Sequence, residues 1–309
     1  MRQQHARYTL QENQWQGAAC VQALASVLYD LRNDSGLHAT LDAKRAEKDF
    51  LFECYLDHTV EGDVIVLDRL YADLAVLAFW LGYRRDVVIR FPRGGFKQVQ
   101  AFWESTDLDV QLDIAVAGKQ RTFVRARGLP EVVRIRLVNV ELESGKIEVL
   151  GTSLLDQELY SRAELKRVYG WRWGGETYFD RLKNVFDLER WSGKSVGSIE
   201  QDFYSLLFLA TLESVLSMPA KAELADVSRA KGHRYEQHVN RVVRYGAILD
   251  HVVALLIDQH TSAEVTLQKL HRLFKTNPSR HRAGRKVPRT KVTPSERVRF
   301  YRYTKRCVA

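Results

Sequence analysis

The sequence predicts an α/β protein: a parallel strand–helix–strand core, interrupted by a β-rich segment and followed by helices and a basic tail. Three observations carry the prediction. First, Asp63–Asp68 (DVIVLD) sets four consecutive apolar residues between acids, and Asp86–Phe91 (DVVIRF) follows after an amphipathic helical stretch at Tyr71–Leu81. Apolar runs of this length mark strands buried on both faces, and strand–helix–strand marks a parallel unit. Second, Asp109–Ile114 and Val133–Leu137 alternate apolar and polar residues, with turn residues at Ala117–Lys119, Arg127–Pro130 and Ser144–Lys146. That is the pattern of half-exposed antiparallel strands. Third, long helical periods occupy Ser161–Leu188, Val196–Ser217 and His233–Gln259.

The remaining elements follow in order. Residues 1–22 show no firm period. Ala23–Asp30 and Gly36–Asp42 read as two short strands joined by a turn at Asn33–Gly36, and Lys44–His58 reads as a helix. Ile147–Leu154 reads as a strand leading into the long helices.

Composition narrows the class. Hydrophobic residues make up 45% of the chain, as in an ordinary globular protein. The cysteines Cys20, Cys54 and Cys307 are too far apart for a zinc ribbon or a disulfide framework, which implies a reducing compartment. No apolar run approaches the ~18–20 residues of a membrane span, and no secretory segment follows Met1. The expectation is a soluble, intracellular chain with no membrane partner. The histidines lack metal-ligand spacing, and no phosphate-binding glycine loop occurs.

The net charge of +9 is concentrated at one end. Lys275–Arg306 holds twelve Lys/Arg against Glu296 alone, a local +11 that leaves −2 for everything else. A tail of this kind suits a polyanion, because each neutralised phosphate releases counterions; the plainer reading is a solvated terminus.

Two constellations carry chemistry. Tyr169, Arg172, Glu176 and Lys183 stand at offsets 0, 3, 7 and 14, which on one continuous helix fall within a stripe about 60° wide. On spacing alone the preferred reading is an exposed ion-pair face, with Arg172 paired to Glu176 and Asp180 to Lys183. Gly174 and Gly175 argue for a close approach to the backbone or for a helix break, since each costs about 1 kcal/mol in a helix interior. Asp68 ends the most apolar strand, where open α/β sheets place their ligands; its plainer role is to cap a helix starting near Leu70. Brought together, Asp68 and Glu176 could share hard divalent cations.

These residues also carry a family resemblance. The spacing Y-x2-R-x3-E-x6-K resembles the signature of DDE transposases of the insertion-sequence-4 family, as does its setting, with Glu148–Asp156 ahead of it and Arg172-Trp173 just before the glutamate. Asp68-Arg69-Leu70-Tyr71 resembles the second-aspartate motif, with Leu70 where a glycine is usual. Ser26–Asp30 resembles a strand lying shortly after the first catalytic aspartate, and the match runs in order from Ala23 to Ala220.

The resemblance implies an RNase H-like fold: a partial core over 1–91, a β-rich insertion over 92–145, completion of the core over 146–217, a helical region over 218–274 and a basic tail over 275–309. It implies Asp68 and Glu176 as catalytic residues and ligands of Mg²⁺ or Mn²⁺, two ions in an intact member. Tyr169, Arg172 and Lys183 would bind DNA phosphates at the transposon end. Transposon ends and target DNA would be the partners, engaged by a homodimer near the bacterial nucleoid, with strand cleavage and transfer as the reaction. Trp171 and Trp173 read as core residues in preference to a base-stacking role.

One part of the family pattern is missing. Residues 1–29 contain no aspartate, and Asp30, Asp34 and Asp42 do not stand in the Asp-Gly-Ser/Thr setting of the first catalytic position. The expectation is a chain that starts downstream of that residue and is inactive alone. Two other functions compete: a DNA-binding remnant without chemistry, using Arg121, Arg125, Arg127, Arg134, Arg136 and the tail, or an unrelated RNase H-like nuclease.

Overall fold

The computed structural model describes residues 9–12, 19–43, 47–142, 145–186, 188, 191–193 and 195–281. The basic tail beyond residue 281 therefore lies outside the described residues. In chain order the elements are β1 (Thr9–Glu12), β2 (Ala19–Asp30), β3 (Ser35–Ala43), α1 (Glu47–Cys54), β4 (Val64–Leu67), α2 (Leu74–Gly82) and β5 (Asp86–Phe91). They continue with α3 (Lys97–Glu104), β6 (Asp109–Ala115), α4 (Gly118–Ala126), β7 (Val132–Glu141), β8 (Ile147–Thr152), α5 (Arg162–Gly170) and α6 (Trp173–Asn184). The last are α7 (Val196–Ala230), β9 (Glu236–His238), α8 (Arg241–Leu256), α9 (Ala263–Phe274) and β10 (Ser279–His281). The chain divides into two compact units. One comprises Leu24–Arg32 and Lys44–Glu176; the other includes Asn33–Ala43 and the chain from Thr177 onward.

The first unit is built on a five-stranded mixed sheet of order β4-β5-β8-β7-β6. The expected parallel unit is present: β4 and β5 pair in parallel, with Val66 opposite Val88 and Leu67 opposite Ile89. The alternating segments form β6 and β7, which pair antiparallel and join the same sheet through β8. The stretch between β5 and β8 is not all β, however. It also holds α3 and α4, the latter starting within the glycine turn at Ala117–Lys119. Each helix turns its apolar side inward, α3 through Val99 and Phe102 one turn apart and α4 through Val124.

Burial corrects the reading of α2 as amphipathic. Leu74 through Trp80 are all buried, because the helix touches β5 and β7 and is also packed by α1 and α4. A helix enclosed in this way has no polar face. It starts at Leu74 rather than Tyr71 because Asp73 caps it, accepting a hydrogen bond from the Ala75 N–H. On the opposite sheet face α5 lays Leu165 and Tyr169 over Val88, Val138 and Leu150.

The long helix expected over Ser161–Leu188 is two helices. Between Tyr169 and Gly175 the backbone bonds close at three residues: Arg172 N–H to Tyr169 O, Gly174 N–H to Trp171 O and Gly175 N–H to Arg172 O. Such bonds tighten the turn and shift the helical phase, and the weak helix formers Gly170, Gly174 and Gly175 offer little resistance. Tyr169 therefore closes α5, Arg172 sits in the junction, and Glu176 opens α6.

The second unit is mainly helical, with β3 and the β9–β10 ribbon beside its helices. In α7, Ile199, Phe203, Leu206, Ala210, Glu213, Ser217, Ala220 and Leu224 form one buried stripe, and the C-terminal part packs with α8 and α9. The helix runs on to Ala230 through Pro219, well past the expected end at Ser217. By length and composition alone α7 is apolar enough to cross a membrane, which the sequence reading did not anticipate. Its buried Glu213, ion-paired to Arg244 of α8, marks it as the core helix of this unit. The helix expected at His233–Gln259 is shorter, because β9 occupies Glu236–His238 and pairs with β10.

Two outcomes test this packing. A Cβ at Gly151 would lie 2.1 Å from the ring of Phe91, which is itself buried. Gly151→Ala is expected to lower unfolding free energy by about 2 kcal/mol in urea titration. The Tyr55 hydroxyl, hydrogen-bonded to Ser26, is pushed by burial to about 12. A phenol whose pKa is raised on folding stabilises the fold below its unfolded value of about 10. Urea midpoints should therefore fall as pH rises from about 10 to 12, less steeply in Tyr55→Phe.

Candidate active site

The register of the sheet builds the site. Extending the parallel pairing of Leu67 with Ile89 by one residue sets Asp68, just past the end of β4, beside Arg90. Arg90 in turn pairs antiparallel with Leu150 of β8, and Glu148 projects from the same face two residues away. One guanidinium thus bridges two acids: Arg90 NH2 lies 3.1 Å from Asp68 Oδ1 and NH1 lies 2.6 Å from Glu148 Oε1. Asp68 also acts as a cap, accepting from the Arg69 N–H at 2.6 Å, but for the short 3₁₀ turn Arg69–Tyr71 rather than for α2.

The α5–α6 junction closes the site from above the sheet. Arg172 NH1 reaches Glu176 Oε1 at 3.0 Å and Asp68 Oδ2 at 3.9 Å, so both predicted carboxylates converge on one cation. The Arg172 guanidinium also lies 5.6 Å from the Tyr169 ring centre and 5.2 Å from that of Trp173. Burial raises the Tyr169 phenol above its ordinary value, against the opposing charges of Arg172 and Arg90.

Four of the five predicted residues, Asp68, Tyr169, Arg172 and Glu176, are therefore neighbours. Lys183 lies in the last turn of α6 and belongs to the other compact unit. Arg90 and Glu148 were not among the expected site residues. The available signal was a charge placed inside an otherwise apolar strand, since an arginine in DVVIRF has to be paired if it is buried. Trp171 and Trp173 are both exposed, against the core role expected of them, because the tightened junction turns them outward. Gly174 faces the Tyr29 ring at an ordinary contact distance, so an added Cβ would be tolerated.

The arginines proposed as a DNA-binding surface on the β segment are engaged within the protein. Arg121 and Arg125 both pair with Glu131, Arg134 pairs with Asp113, and Arg127 stacks 3.9 Å over Phe123. Arg136 is buried, pairing through Nε and NH2 with Asp109 and donating from NH1 to Tyr160 O. Arg121, Arg125, Arg127 and Arg134 nevertheless remain exposed, and only Arg136 is withdrawn from the surface.

The polar atoms left over at the site have a common character. Arg90 Nε, Arg172 Nε and the Tyr169 hydroxyl are buried without a hydrogen-bond partner among the described residues. All three can donate, so an acceptor such as a phosphate oxygen would complete them. A divalent ion fits less well. Its hard oxygen donors are present, but Arg172 fills the gap between Asp68 and Glu176, and Arg90 and the Arg69 N–H hold the other oxygen of Asp68. Among the described residues no group of three Asp, Glu, His or Cys side chains is arranged to hold a metal. As arranged, the donor set does not fit the ion.

The family model described as a transposase DDE domain matches residues 4–212, more than half of the chain. The chain belongs to the transposase DDE domain family. No curated protein matches it. Family membership makes DNA the substrate class.

The Arg90 bridge can be tested by its pairing. Arg90→Leu leaves Glu148 buried without a counter-ion and is expected to destabilise the protein by about 3 kcal/mol in urea titration. The double variant Arg90→Leu/Glu148→Leu should recover a large part of that loss. Equal losses in the single and double variants would show that charge pairing is not the cause.

Proposed function

We propose that this chain is an insertion-sequence transposase of the insertion-sequence-4 type, and that the isolated chain binds the ends of its element without cutting them. The observation that carries the reading is the set of buried, unsatisfied donors on Tyr169, Arg172 and Arg90 beside two carboxylates already tied to arginines. A backbone phosphate would accept from Tyr169 and Arg172 and draw Arg172 away from the acids. Lys183, farther along the signature, would also bind DNA phosphate. Trp173, exposed beside Arg172, offers a ring on which a displaced base could stack.

The parallel β4–α2–β5 unit supports an RNase H-like core, with 92–145 as the segment interposed between Asp68 and Glu176. Cooperation of two copies on paired ends belongs to the same proposal. Cleavage by this chain is the second reading, favoured by the convergence of two carboxylates from separate elements on a single cation. It requires Arg172 to leave the gap so that Mg²⁺ or Mn²⁺ can enter.

Labelled duplexes carrying the element's terminal sequence separate the two. With Mg²⁺ or Mn²⁺ present, the expected outcome is a retained complex and no nicked strand, with binding weakened several-fold in Arg172→Ala. Robust nicking would overturn the binding-only reading, and unaltered affinity in Arg172→Ala would overturn the phosphate role.

A further inference from the structure

The helical unit holds a cavity of about 650 Å³ between the β9–β10 ribbon, the start of α8 and the turn that carries Asp34. Its charged lining comprises Lys221, Arg241, Arg244 and Arg280 against Asp34 and Glu236, a surplus of two positive charges. Glu236 is engaged along its own strand, 3.4 Å from His238 Nε2.

Three of these lining residues, Lys221, Arg244 and Asp34, also belong to an ion-pair cluster with Arg181 and Glu213, which leaves the surplus unchanged. Asp34 Oδ2 is shared by Arg181 NH1 at 2.9 Å, Lys221 Nζ at 3.4 Å and Arg244 NH2 at 3.8 Å. The second acid of this cluster, the buried Glu213, pairs with Arg244 Nε. Three cations thus share two carboxylates inside the unit. A purely structural network would balance its charges, since each surplus buried charge raises the desolvation cost. Burial, together with the adjacent Arg244 guanidinium, already holds the Lys221 ammonium below its ordinary pKa. An anion in the cavity would relieve both.

We infer that this cavity is a second DNA-binding site, which takes a backbone phosphodiester through Lys221, Arg241, Arg244 and Arg280. The ligand class follows from the lining. Its cations suit phosphate, and arginine forks suit it best. No Phe, Tyr or Trp among the described residues lines the cavity to stack on a base, so recognition is independent of sequence. Arg241 and Arg280 are exposed and, among the described residues, take part in no ion pair, so they are available to a ligand. The start of α8 adds its dipole field with the same sign. DNA is preferred to a free anion because the chain belongs to a transposase family. The inference does not depend on Asp68 or Glu176 having any catalytic role.

The test measures binding by the full chain, using fluorescence anisotropy of labelled duplexes across a salt series. Arg241→Ala/Arg280→Ala removes two exposed cations, and circular dichroism checks that the fold is kept. Affinity should fall by the same factor for two unrelated duplex sequences, and the slope of log K against log salt should shrink by about 2. In the unaltered protein, DNA should also protect Lys221 from amine acetylation read by mass spectrometry, an outcome independent of any variant. Unchanged affinity and slope, or an unprotected Lys221, would overturn the site. Calorimetric binding of inorganic phosphate that disappears in the variant while DNA binding is unaltered would make it a small-anion site, and a loss confined to one duplex would refute backbone recognition. Arg172→Ala, acting in the other unit, should leave the protection of Lys221 intact.

Discussion

Arg90 brings a positive charge into a strand whose neighbours Val87, Val88, Ile89 and Phe91 are almost completely buried. A guanidinium at that position is stable only where acids meet it, and both acids come from adjacent strands, Asp68 after β4 and Glu148 on β8. The arrangement fixes more than charge. It requires the parallel register of β4 against β5 and the antiparallel register of β8, because a one-residue slip in either would turn an acid to the other face. The position of Asp68, and therefore the point on which Arg172 and Glu176 converge, depends on that register. Gly151 serves the same alignment from the opposite face, where the Phe91 ring lies against its bare backbone.

Much of this was legible in the sequence, for identifiable reasons. The runs VIVL and DVVIRF are too apolar for a surface element, and they gave the parallel pair. Strict alternation gave β6 and β7. Of the four spaced residues, Tyr169, Arg172 and Glu176 are neighbours around one junction, although they do not share one helix. What could not be read depended on contacts distant in sequence. The full burial of α2 comes from α1 and α4 covering its outer side, which no periodicity within Leu74–Gly82 reports. The partners of Arg121, Arg125, Arg134 and Arg136 come from Glu131, Asp113 and Asp109, and a list of arginines says nothing of which acids answer them. Helices α3 and α4 were hidden by the turn residues that begin them.

The same distinction separates the two basic features of the protein. On the sheet unit, arginines are numerous and mostly paired with nearby acids, Arg121, Arg125 and Arg134 at the surface and Arg136 in the interior. In the helical unit the cations outnumber the acids beside a cavity, and Asp34 is shared among three of them. Net charge, concentrated by count in the tail, hides this local imbalance.

The break between α5 and α6 bears on how such a site tolerates change. In one continuous helix, adding or losing a residue between Tyr169 and Glu176 would swing every downstream side chain by about 100° and carry the glutamate off the sheet's edge. A junction of tight turns around Trp171 and Arg172 can absorb an altered length locally, because each helix is anchored by its own buried residues, Leu165 and Tyr169 in one, Tyr178 and Leu182 in the other. The glutamate and the tyrosine are thereby free to diverge separately as copies of such a chain accumulate mutations, and the spacing between them is a looser constraint than a single helix would impose.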